Sequence, residues 1–107
     1  MESRQHLHVP AVYIPSQTNV GFSVFVPTPH DASELSRVLE HSRLLGRGRT
    51  RAQKSFMLDA VEVHWTSAGP MPTLREFEHE VVQWARRHGY VLARDMRQLR
   101  QGLDALK

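Results

Sequence analysis

Hydrophobic and polar residues alternate most clearly between Asn19 and Pro27. There Val20, Phe22, Val24 and Val26 take one side of an extended chain, and Gly21, Ser23 and Phe25 take the other. Phe25 on the second side predicts that this side is partly covered as well. The run FMLDAVEVHW, Phe56 to Trp65, is rich in strand formers and sets Met57, Val61, Val63 and Trp65 on one face. Elsewhere the period becomes helical. Asp31 and Glu34 have capping-box spacing ahead of Leu35, Val38, Leu39 and Leu45, with Gly46 as the stop. Thr73 and Glu76 repeat that signature before Leu74, Phe77, Val81, Trp84 and Ala85, which run towards Gly89. Asp95 and Gln98 do so again, and Met96, Leu99, Leu103 and Leu106 then form one narrow apolar seam. Tyr90, Val91 and Leu92, between the last two helices, read as a short strand.

Residues 1–17 alternate apolar groups around Pro10 and Pro15, which remove two backbone donors, so this stretch reads as an extended N-terminal arm or an edge strand. Residues 18–107 read as a single α/β domain. The expected fold is a small α/β (α+β) two-layer sandwich: three to four short strands, two helices on one face and a C-terminal third helix packed at the end. Strand, helix and strand in that order most simply give a right-handed crossover between parallel neighbours. The segment from Gly46 to Lys54 would then be a loop on the way back from the helix.

Composition narrows the class. With 107 residues, 40% of them hydrophobic, the chain is one domain able to bury a core of its own. Zero cysteines exclude a disulfide framework, thiolate zinc sites and a cysteine nucleophile. No window approaches the roughly 18 apolar residues of a spanning helix, and the first residues lack the apolar stretch of a secretory leader, so a cytoplasmic protein with no membrane contact is expected.

Charge changes the picture more. The net +3 is the small difference between 14 basic and 11 acidic residues, yet Arg43, Arg47, Arg49, Arg51 and Lys54 fall within twelve residues that contain no acid. The other 95 residues hold nine basic and eleven acidic groups and carry a net −2. Twelve of the fourteen cations are arginine, whose planar fork suits bidentate contact with phosphate or carboxylate. In an extended segment Arg47, Arg49 and Arg51 project to one side, Gly46 and Gly48 allow close backbone approach, and Thr50 adds a hydroxyl. Arg94, Arg97 and Arg100 line the polar side of the last helix, which in outline follows its predecessor as a helix-turn-helix would, although Gly89 to Arg94 is a long connection.

Other chemistry finds less support. His79 opens HEVVQ, but Gln83 stands where the zinc motif HExxH needs its second histidine. His6 and His8 lie on one side of an extended stretch, and His30, His41, His64 and His88 show no paired spacing. Glu76, Glu78 and Glu80 suit the positive end of a helix without any catalytic role. No nucleophile elbow or dinucleotide fingerprint is present. Tyr13, Phe25 and Phe56 fall opposite the main apolar faces, where bases stack in sheet-based RNA-binding modules.

The reading is a non-enzymatic binding protein, with no cofactor and no metal, that contacts RNA or DNA phosphates through Arg43, Arg47, Arg49, Arg51 and Lys54, assisted by Arg94, Arg97 and Arg100. The alternative is a protein-binding regulator or inhibitor, of the kind phages and mobile elements encode, that docks the same basic segment on an acidic protein surface. A homodimer is compatible with either. A metal-dependent hydrolase built on His79 ranks last.

Overall fold

A computed structural model describes residues 8–107. Five strands and three helices follow one another as β1 (Val9–Gln17), β2 (Gly21–Val26), α1 (Pro29–Glu40), β3 (Gly48–Lys54), β4 (Val61–Ser67), α2 (Leu74–Arg87), β5 (Tyr90–Leu92) and α3 (Met96–Ala105). The strands form one mixed sheet in the order β3-β4-β2-β1-β5, antiparallel except where β5 runs parallel to β1. The α+β class expected from the sequence is therefore correct, with five strands in place of three or four.

The additional strand, β3, is the basic segment itself, and it changes the topology. Gly48 to Lys54 pairs antiparallel with β4, while β4 pairs antiparallel with β2. The crossover through α1 thus joins β2 to β3, two positions away, and β4 slots between them. The expected parallel pairing of the second and fourth strands does not occur. A tight β3–β4 hairpin wins because ladder bonds form over its whole length, from Gly48–Ser67 to Lys54–Val61.

β1 lies between β2 and β5 instead of at an edge. Its prolines sit where its pairing slips: the register with β5 shifts between Val9 and Val12, spanning Pro10, and the register with β2 shifts between Tyr13 and Ser16, spanning Pro15. A bulge leaves the ladder position that a proline cannot fill, so an inner strand tolerates both.

Alternation then sorts side chains between two cores. Val12, Phe22, Val24, Val26, Val61, Val63 and Trp65 meet Leu35 and Leu39 of α1 and Phe77, Val81 and Trp84 of α2 in the larger one. Phe22 and Phe77 stack there with centroids 4.4 Å apart. On the opposite face α3 presses Leu99 and Leu103 onto Ala11, with Tyr13 and Phe25 packed at the margin. A Cβ at Gly102 would sit 2.3 Å from the carbonyl oxygen of Pro10, so the glycine that weakens an isolated helix lets this one touch the sheet. α3 packs flat on the β1 side of the second face.

Helix starts follow local chemistry, with one shift. α1 begins earlier than Asp31: Thr28 is its N-cap, Pro29 its first residue, and the Thr28 hydroxyl accepts from the Asp31 N–H at 3.0 Å. The helix also ends at Glu40, before the turn that carries Leu45 into the core and Gly46 at φ 78°. The Thr73–Glu76 box forms in full. Asp95 caps α3, but Gln98 returns its bond to the N–H of Arg94 and not to Asp95. β4 starts only at Val61, which leaves Phe56 and Met57 exposed on the β3–β4 connection. No helix among the described residues is long and apolar enough to cross a membrane.

Candidate nucleic-acid interface

The register of β3 decides which basic residues act together. Arg49, Arg51 and Gln53 pair with Thr66, His64 and Glu62, and these with Gly21, Ser23 and Phe25, so all share one face of the sheet. This is the face on which α3 sits, over the β1 side, while the β3–β4 side is left open. Arg49 and Arg51 are exposed there, and Arg51, Gln53, Glu62 and His64 line a depression of about 230 Å³. Arg47 precedes the strand with the same parity and holds its end, its carbonyl accepting from Ala68 N–H at 2.8 Å.

The other sequence-nominated cations divide. Lys54, paired with Val61, shares the parity of Thr50 and Ala52, so it belongs to the helix-covered side and lines a groove of about 560 Å³ between β3 and α1. Arg43 lies apart, in the turn after α1 beside Pro70, Met71 and Glu76. Arg94, Arg97 and Arg100 are all exposed on or just before α3, on the same side of the sheet as Arg49 and Arg51. β5 separates α2 from α3, so the two helices do not make a helix-turn-helix.

Two residues have tasks other than those the sequence suggested. Gly48 leaves room for the Trp65 indole, since a Cβ there would lie 2.4 Å from the ring, so its role is packing. Thr50 donates its hydroxyl to Glu40 Oε2 at 2.6 Å and its N–H at 2.8 Å, which ties the edge strand to the end of α1. Those two donors hold the Glu40 carboxyl below its ordinary value of 4.5. The aromatic platform does not assemble either: Tyr13 and Phe25 pack against the α3 cluster, and Phe56 leaves the strand altogether.

Among the described residues the ion pairs are His30–Glu34, His88–Glu34, Lys107–Asp59 and Lys107–Asp104, and none involves an arginine. Among the described residues the guanidinium groups of the open face are therefore in no ion pair. Beside them the Ser23 hydroxyl and His64 Nδ1 lie 2.6 Å apart, a spacing that nucleophile and base also adopt. Ser23 is only 1% exposed, so its oxygen offers no line of attack to a substrate, and the bond instead sets the imidazole on the sheet surface.

Histidine also appears in a cluster that sequence spacing hides. Asp31, Glu34 and His88 each place one ligand-type atom so that all three lie within 4.8 Å of one another. His79 and Gln83 are exposed on α2, and His6 lies outside the described residues. No protein-family model matches this chain, and no curated protein or solved structure is significantly similar to it.

Proposed function

We propose that the chain is a binding domain, not an enzyme, that grips the phosphates of a nucleic acid across the open half of its sheet. The observation that carries this reading is the strand register, which sets Arg49 and Arg51 side by side on one exposed face, in no ion pair among the described residues, with Glu40 the carboxylate that feels the Arg49 charge. Residues two apart in a strand are spaced about 6.7 Å. Phosphates rise ~3.4 Å per nucleotide along the duplex axis and are spread further apart by the helical turn, so two guanidinium groups at this spacing can meet neighbouring phosphates. Arg47 extends the row at one end, and Arg94, Arg97 and Arg100 flank the face from α3. Glu62 within the row repels a backbone that strays to the far end, which directs contact towards Arg47 and Arg49.

Fluorescence anisotropy with labelled single-stranded RNA, single-stranded DNA and duplex DNA at two salt concentrations tests the reading. Binding that weakens steeply with salt, and that is lost in the Arg49→Glu/Arg51→Glu variant with its circular dichroism unchanged, is the expected result. Equal affinity in wild type and variant, or no binding to any of the three probes, would remove it.

A second reading keeps the same edge but a different partner. β3 is the terminal strand of the sheet, the 560 Å³ groove runs beside it, and Phe56 is fully exposed at its end. An extended acidic segment of another protein could add to this edge, with Lys54 at the groove wall. A stoichiometric protein partner recovered after nuclease treatment, and lost in Lys54→Glu but not in Arg49→Glu, would favour it.

A further inference from the structure

The cluster at the start of α1 holds an arrangement that the nucleic-acid reading does not use. Thr28 and Pro29 start α1 so that Asp31 and Glu34, three residues apart, project from one side of its first turns. His88, the C-cap of α2, reaches the same place from the neighbouring helix. His88 Nδ1 lies 2.9 Å from the carbonyl oxygen of Trp84, which can only accept, so Nδ1 carries the hydrogen and Nε2 faces outward. Nε2 in turn stands 2.6 Å from Glu34 Oε1. In the neutral ring that is a lone pair against a carboxylate oxygen, so at 2.6 Å the two atoms share a proton, and a metal ion would take the place of that proton with the pair opened to about 3.3 Å.

Three further features favour the metal. The Asp31 carboxylate completes a set whose ligand atoms lie within 4.8 Å, while tetrahedral zinc spaces its ligands about 3.3 Å apart. Tyr90 donates its hydroxyl to Asp31 Oδ2 at 2.9 Å, and Trp84 orients His88, so two of the ligands are held by outer partners as metal ligands usually are. The site is also reachable, since Glu34 and His88 line a depression of about 210 Å³ with Val38 and Trp84. Asp31 itself is 5% exposed, so a carboxylate is already committed to the interior. Its neighbourhood includes Arg37 and Arg87 on the rim, which a bound anion or hydroxide would offset, and His30, 3.4 Å from Glu34 Oε2.

We propose that Asp31, Glu34 and His88 bind a divalent transition-metal ion of the zinc class, with Tyr90 positioning the Asp31 carboxylate and solvent completing the coordination. One ion then pins the start of α1 to the end of α2. This inference is independent of the nucleic-acid reading.

The test is titration of the chelator-treated full chain with zinc by isothermal calorimetry near neutral pH in two buffers of different ionisation enthalpy, and with cobalt(II) by visible absorption. One saturating equivalent, released protons and a cobalt band are expected, together with a higher melting temperature in zinc. His88→Gln and Glu34→Gln should each weaken zinc at least tenfold, and Tyr90→Phe should weaken it less. Should His88→Gln fail to fold, Glu34→Gln decides, because the Glu34 side chain is 38% exposed and its replacement by an isosteric amide is expected to leave the fold intact, as circular dichroism would check. A combined His6→Gln/His8→Gln/His79→Gln variant should bind as wild type does. No saturable zinc binding, or binding undiminished in Glu34→Gln, overturns the proposal and leaves a proton as the bridging charge; loss of binding in the triple variant overturns it too.

Discussion

The two faces of the sheet are made by alternate residues of the same strands, yet they have opposite properties. On one side Val24, Val63 and Trp65 are fully buried under α1 and α2. On the other, the residues next to them in sequence, His64 and Thr66, with buried Ser23 bonded to His64, form a polar surface that continues into Arg49 and Arg51. Both faces lie under helices at one end, but the cluster under α3 ends at Phe25 and at Leu58 and Ala60 of the β3–β4 connection. A single strand can thus supply stability from one set of alternate positions and a binding surface from the other, and substitutions should separate the two.

The largest effect should come from the closed face. Trp65→Ala removes a side chain that packs against Phe22 and Phe77 and fills the space a Cβ at Gly48 would need, and should cost about 3–5 kcal/mol in urea denaturation. A cost below ~1 kcal/mol would show that this face is not the main core. Next comes the contact that closes the second face. Gly102→Val forces a side chain into the Pro10 carbonyl and should destabilise by about 1–3 kcal/mol, with loss of near-ultraviolet signal from Tyr13 and Tyr90 at the α3 margin.

A smaller effect is expected at the β3 edge. The Glu40 carboxyl lies below its ordinary 4.5 because Thr50 donates to the ionised form. Its stabilising contribution is therefore complete above pH 4.5 and is lost as pH falls through the lowered folded value. Glu40→Gln should flatten the acid limb of a melting-temperature profile while leaving the alkaline limb unchanged; identical acid limbs would mean the Thr50 contact does not persist in solution. The smallest effect on stability, within about 0.5 kcal/mol, should be that of Arg49→Glu with Arg51→Glu. A larger loss there would mean that the open face is structural, and the comparison between the faces would collapse.

Most elements were legible because each is signalled locally. The alternation around Val24 and Val63, the Thr73–Glu76 box and the helical stripe of α2 all depend on neighbours a few residues apart. The start of α1 misled because both Thr28 and Asp31 suit an N-cap; Pro29, favoured at the first helical position, was the signal that distinguished them. β3 was hidden for a different reason. GRGRTRAQK contains one apolar residue, Ala52, and no strand former beyond Thr50, so nothing local favours extension. It is a strand because β4 offers an unpaired edge and a two-sided polar segment can occupy an outer position without burial.

The candidate sites divide along the same line. The spacing of Arg47, Arg49 and Arg51 already implied a common side, and that is a property of any extended chain. That Lys54 and Arg43 leave this row depends on where the register begins and where the turn after α1 lies. The Asp31, Glu34 and His88 group had no sequence signature, because His88 is 54 residues from Glu34 and meets it only through the packing of α2 beside α1.

Local pattern alone determined the class of the fold, most of its helices and strands, and the concentration of positive charge in one twelve-residue segment, since each rests on residue type and short spacing. Tertiary structure alone decided that the segment is an edge strand, which of its cations face the same way, and which distant acids and histidines meet. Those outcomes depend on strand register and helix docking, which are fixed by contacts between residues that the chain itself keeps far apart.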